Sequence, residues 1–144
     1  MAGNFVDAQG TIVRVYASDG TTPKVVGNID SIGTFAPGTR TERDRTTLAS
    51  EAKEWGYGLK DNGIFAMNCF YDPDDEGQAD LIAQEEPTEA EKRKWEVEFS
   101  NGELREFNGY LTETPMEISK DTDVMKTYSV RISGAVQRTP APSP

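Results

Sequence analysis

Residues 58–84 read GLKDNGIFAMNCFYDPDDEGQADLIAQ, and this stretch decides the fold. Gly58–Gly63 has the composition of a turn. Ile64–Tyr71 (IFAMNCFY) is apolar on both faces and broken only by Asn68, so a strand there must be covered on two sides. Asp72 is a good N-cap, Pro73 suits the first helical position, and Asp74, Asp75 and Glu76 favour the positive end of a helix dipole. Ala79, Leu81, Ile82 and Ala83 supply an apolar stripe. A helix is therefore expected from about Pro73 to Glu85, ending before Pro87 and covering one face of the strand. None of these residues has a catalytic arrangement, and the spacing of DPDDE does not match a calcium loop. The stretch points to architecture.

Downstream, Trp95, Val97 and Phe99 alternate with Lys94, Glu96 and Glu98, the pattern of a half-buried strand. A two-residue turn at Asn101-Gly102 would turn Phe107 outward. A three-residue loop, Ser100-Asn101-Gly102 with glycine left-handed, sets Phe99 against Glu103, Val97 against Arg105 and Trp95 against Phe107. On the other face Glu98 then meets Leu104, Glu96 meets Glu106 and Lys94 meets Asn108. Facing carboxylates at 96 and 106 disfavour the hairpin by some tenths of a kcal/mol (roughly). A final strand is expected over Val124–Gln137, with Tyr128, Val130, Ile132, Gly134 and Val136 on one face.

Upstream, Thr11–Tyr16 reads as a strand, Ser18–Thr22 as a turn and Lys24–Phe35 as a second strand bent at Gly27 and Gly33. Ala36–Tyr57 lacks period-2 alternation, and Arg45–Leu48 is the only strand candidate in it. A connection that long in a compact domain signals binding. It carries Arg40, Arg43, Arg45 and Lys53 against Glu42, Asp44, Glu51 and Glu54, and it ends in Trp55 and Tyr57, residue types that anchor interfaces.

The 144 residues suit one domain: residues 1–137, with a loose arm at 1–9, a long loop at about 37–57 and a Pro-rich tail at 138–144. There is no histidine, which excludes His-based nucleophilic triads, and one cysteine, Cys69, which excludes an internal disulfide and makes zinc implausible. No cofactor, metal or catalytic residue is expected. The first residues lack a signal-peptide pattern, so cytoplasmic synthesis is expected. The net charge of −10 disfavours conventional DNA binding. Its densest part, Asp72–Glu91, has nine acids and no base, and reads as a solvated helix and loop.

The order of these segments resembles the tail tube (major tail) proteins of long-tailed, non-contractile bacteriophages. The resemblance rests on the GLKD-G turn, the hydrophobic strand and the DPDD helix start, and continues in Trp95–Gly109 (WEVEFSNGELREFNG) and Tyr128–Val136 (YSVRISGAV). It covers most of residues 10–137. It implies an α+β, mainly β domain: a β-sandwich or open barrel of six to seven strands with one flanking helix. It also implies a hexameric ring whose sheets join into a continuous β-barrel, with rings stacking into a conduit for DNA in the virion tail. Implied partners are tail terminator, tape measure and tail-tip proteins, with DNA passing without specific binding. Carried onto this chain, the lumen-facing candidates are Asp30, Glu96, Glu98, Glu106 and Asn108. The inter-ring candidates are Arg40, Arg43, Arg45, Trp55 and Tyr57. An acidic wall would repel a passing duplex, whereas a basic one would hold it.

Three other readings compete. A tube protein of a contractile tail or tail-like secretion system shares the fold. A β-sandwich carbohydrate-binding module would align exposed aromatics, but Trp55, Tyr57, Tyr71 and Tyr110 are scattered. An enzyme built on paired carboxylates would need a buried pair, and none stands out.

Overall fold

The computed structural model describes residues 5–35, 38–49, 51–87 and 91–142; the side chains of Thr41 and Tyr57 lie outside that description. The elements are β1 (Ile12–Tyr16), β2 (Pro23–Val26), β3 (Ile29–Ile32), β4 (Thr39–Asp44), β5 (Trp55–Asp61), β6 (Ile64–Phe70), α1 (Glu76–Gln84), β7 (Arg93–Glu98), β8 (Leu104–Glu113), β9 (Met116–Glu117) and β10 (Met125–Thr139). Seven strands form one antiparallel path in the order β2-β1-β7-β8-β10-β6-β3, with the short β9 beside β10; β4 and β5 pair separately. The path begins and ends on strands consecutive in sequence, so the sheet curls until its two edges face each other.

Alternation places the core inside this curl. Val13 and Val15 from β1, Trp95 and Val97 from β7, Phe107 from β8, Tyr128, Val130 and Ile132 from β10, and Phe65, Met67 and Cys69 from β6 are all buried there. Each fully buried large side chain contributes about 1.5–3 kcal/mol. Phe35, Phe65 and Phe107 meet edge-on or tilted with centroids 5.1–5.6 Å apart, and Trp95 stacks on Phe107 at 6.4 Å. Gly109 is required where β8 meets β10: a Cβ there would lie 2.8 Å from the Arg131 carbonyl oxygen.

The β7–β8 hairpin has the register its alternation demands, Trp95 opposite Phe107, Val97 opposite Arg105 and Glu96 opposite Glu106. Gly102 is left-handed, with φ 93°. Elsewhere the structure corrects the reading. The expected strand Lys24–Phe35 is two strands, parted by a sharp corner at Gly27-Asn28, where Asn28 has φ 61°. The helix starts later than Pro73: its N-cap is Asp75, whose carboxylate accepts from the Gln78 amide at 3.1 Å. Its buried residues are Gly77, Gln78 and Leu81, while Ala79 and Ala83 are exposed. Gly77 sits so close to Val25 and Val26 that a side chain has no room, so α1 lies hard against β2. Gly58–Asp61 belongs to β5, and the reversal falls at Asn62-Gly63. β6 is covered on one face only; Ile64 and Phe70 on the other are 46% and 42% exposed. β10 runs two residues past the expected end, after an irregularity that begins near Gly134 (φ 89°).

Candidate functional site

Two surfaces carry the polar residues singled out by the sequence. The first is the outward face of β1, β7 and β8. Because side chains alternate along a strand, burial of Trp95, Val97 and Phe107 turns Lys94, Glu96, Glu98, Glu106 and Asn108 to the opposite side, next to Arg14 and Tyr16 of β1. Glu96 is 8% exposed despite facing outward. Arg14 covers it, donating to Glu96 Oε1 at 2.7 Å and to Glu98 Oε1 at 3.3 Å, and the Tyr16 hydroxyl donates to Glu96 Oε2 at 3.0 Å. Lys94 Nζ lies 3.8 Å from Glu106 and 4.5 Å from the centre of the Tyr16 ring. Burial, then the bond to Glu96, holds the Tyr16 hydroxyl above the usual phenol pKa.

The facing pair Glu96 and Glu106 is thus split between two cations, which removes the repulsion expected from the hairpin alone. Arg14 and Lys94 are in turn occupied by carboxylates. Asn108 is exposed on the same face. Asp30 is not brought to this group. It stands exposed on the far edge strand, β3, where it lines a cavity of about 950 Å³ together with Ile32, Phe35, Phe65, Val97 and Phe99.

The second surface is the β4–β5 hairpin. The expected loop is an antiparallel ribbon, Arg43 opposite Gly56 and Asp44 opposite Trp55, and the strand lies at Thr39–Asp44 rather than Arg45–Leu48. The Arg45 amide bonds the Glu54 carbonyl at 2.8 Å, and Asp44 and Thr46 knit the tip. Arg40, Arg43, Arg45 and Leu48 are exposed, and Trp55 is 52% exposed with Lys53 Nζ 5.8 Å from its ring. The Tyr57 side chain lies outside the described residues. The strands contact chiefly each other. Arg131 to Asp61 at 2.8 Å and Asn62 to the Gly134 carbonyl at 2.8 Å tie the base to the body.

The acidic stretch is less solvated than expected. Asp80 pairs with Arg93 at 3.2 Å, Glu85 with Lys126 at 2.8 Å, and Asp72 and Asp75 bind backbone and Asn28. Among the described residues no cluster of three or more potential metal ligands forms, and no helix is long and apolar enough to cross a membrane. Sequence reasoning missed Arg14, Tyr16 and Gln78. The alternation in TIVRVY could have put Arg14 and Tyr16 on the face opposite Val13 and Val15.

The described residues thus form a curled sheet with free margins, one flanking helix and a projecting ribbon. The sequence profile of the lambda phage tail tube protein family matches residues 14–139. The chain belongs to that family, whose role is structural. Comparison with curated proteins gives no sequence match. Among solved structures, the chain resembles the tail of an empty gene transfer agent particle solved with C6 symmetry: TM-score 0.70, 13% identity, covering 93% of this chain and 98% of that one. It also resembles the SPP1 tail tube (TM-score 0.72, 12% identity, 93% and 78% covered). A third likeness is the sheath/tube terminator of an extracellular contractile injection system (TM-score 0.73, 9% identity, 97% and 100% covered).

Proposed function

We propose that six copies of this chain close into a ring, that rings stack into the tail tube of a virion, and that DNA passes through the bore without base-specific contact. The observation that carries this reading is the pair of free sheet margins. Among the described residues β2 pairs only with β1, and β3 only with β6. Unpaired edges recruit further strands, and a heterologous contact that closes makes a ring.

The bore is assigned to the outward face of β7 and β8, with Glu98, Glu106 and Asn108 toward the duplex and Glu96 beneath them. Arg14 and Lys94 are already held by carboxylates, so they offer phosphates little. The net charge of −10 adds general repulsion. The β4–β5 ribbon, with Arg40, Arg43, Arg45, Trp55 and Tyr57, is assigned to the contact between rings. Assembly in the host cytoplasm, with terminator, tape measure and tail-tip proteins as partners, completes the proposal. Cryo-electron microscopy of the concentrated protein should show sixfold rings or hollow tubes. A uniformly monomeric population, even with assembly factors added, would refute the proposal.

A further inference from the structure

β2 and β3 are consecutive in sequence but end the strand path on opposite margins. The chain crosses the open side of the curl twice, once through the corner Gly27-Asn28 and once through α1. The two crossings are bonded together. The Asp75 carboxylate accepts from the Gly27 amide at 2.9 Å while capping the helix at Gln78. Asp72 accepts from Asn28 Nδ2 at 2.9 Å, and the Asn28 carbonyl accepts from the Phe70 amide at 2.8 Å. Gln78, with no exposed surface, donates to the carbonyls of Gly27 (2.9 Å) and Phe70 (3.0 Å) and accepts from the Asp72 amide and the Tyr128 hydroxyl, both at 3.1 Å. One side chain thus binds the corner, the end of β6 and Tyr128 near the start of β10. The fit is close: a Cβ on Gly27 would lie 2.5 Å from Asp75 Oδ1. Asn28 makes the corner in the left-handed region, with φ 61°, which asparagine adopts more readily than other residues with a side chain.

We infer that Asp75 and Gln78 are positioning residues that fix the angle between the two free margins, and through it the number of copies that close a ring. This rests on the proposed ring assembly. A closed ring of given size demands a fixed turn per copy, and a hinge at Gly27-Asn28 without this clamp would let that turn vary.

The test compares wild type with Gln78→Glu, which keeps the volume and the accepting Oε1 but replaces the donating Nε2 and so loses the two donated bonds, and with Gly27→Ala, which keeps both clamp residues but wedges Asp75 away from the corner. Asn28→Gly, which deletes the Asp72 bond and keeps a residue suited to the positive φ, is the mildest variant should either of the others not fold. Thermal melts establish folding, and native mass spectrometry with micrograph classification counts copies per ring. Wild type should give one ring size. In the variants, rings of other copy number or open arcs should become the major species. Folded variants with lowered melting temperatures but uniform wild-type rings would show that the clamp only stabilises, and would overturn the inference while leaving the ring intact. A wild-type chain that never closes a ring would overturn both.

Discussion

Gln78 sits at the third position of α1, three residues after the N-cap Asp75, and this D-x-x-Q spacing is the sequence signature of a capping box. That signal was available, and it places the helix start correctly, where a rule based on proline at the first position places it too early. What the spacing does not reveal is that the Gln78 side chain turns away from the cap to bind two carbonyls across the core. Glu96 shows the same limit. Alternation puts it on the outward face, but its burial depends on Arg14 and Tyr16 more than 80 residues away in the case of Arg14 and 80 in that of Tyr16. Asp19, by contrast, is wholly local. The Thr21 amide, then the Thr22 hydroxyl and amide, lower its pKa from the usual 3.8 to about 2. The folded-state value is depressed, so its contribution to the β1–β2 turn is present above pH 3.8 and lost as pH falls through about 2. Carboxyl titration by NMR should show a midpoint near 2, with the Thr21 and Thr22 amides losing protection over the same window. A midpoint at the ordinary 3.8 would show the turn to be open in solution.

At the scale of elements, the β7–β8 hairpin was fully legible because its alternation is strong and a one-residue slip would turn Phe107 outward while Trp95 stayed inside. The β4–β5 ribbon was not. The described side chains of Thr39–Asp44 are all exposed, so this polar run carries no period-2 contrast, though its backbone pairs with β5. The break of Lys24–Phe35 was half visible, since Gly27 hinted at a bend, but transfer of the chain from one sheet margin to the other is a long-range event. The ribbon's independence leads to a prediction. Among the described residues, deleting Arg40–Ser50 removes no core side chain, so melting of the monomer should shift by less than about 1 kcal/mol in stability. Stacking of rings should fail. Normal tubes from the deletion would move the inter-ring contact elsewhere.

For the whole molecule, the fold class followed from one strand-helix stretch and two strands, while the charge pattern of the outward face needed the three-dimensional arrangement. The sequence suggests an acidic wall; the structure shows carboxylates matched by Arg14 and Lys94, with Asp30 on a separate margin. This changes which substitutions can probe the bore. Glu96→Lys would leave Arg14 opposed by a like charge in a nearly dry site and cost the fold about 3–5 kcal/mol, so it cannot report on DNA. Glu98→Lys with Glu106→Lys spares that pair. Tubes should still form, and DNA release from reconstituted particles should slow as phosphate contacts accumulate, with a stronger dependence on salt. Release at the wild-type rate would place the bore on another face.

The sparse tethering of the β4–β5 ribbon has a practical consequence. Arg40, Arg43, Arg45 and Lys53 stand on an exposed strip held at its root by Asp61 and Asn62. In the free subunit trypsin should clip there first, leaving the curled body whole. Once neighbouring copies engage the strip, the same bonds should resist cleavage, so a brief digest read on a gel would report how far polymerisation has advanced.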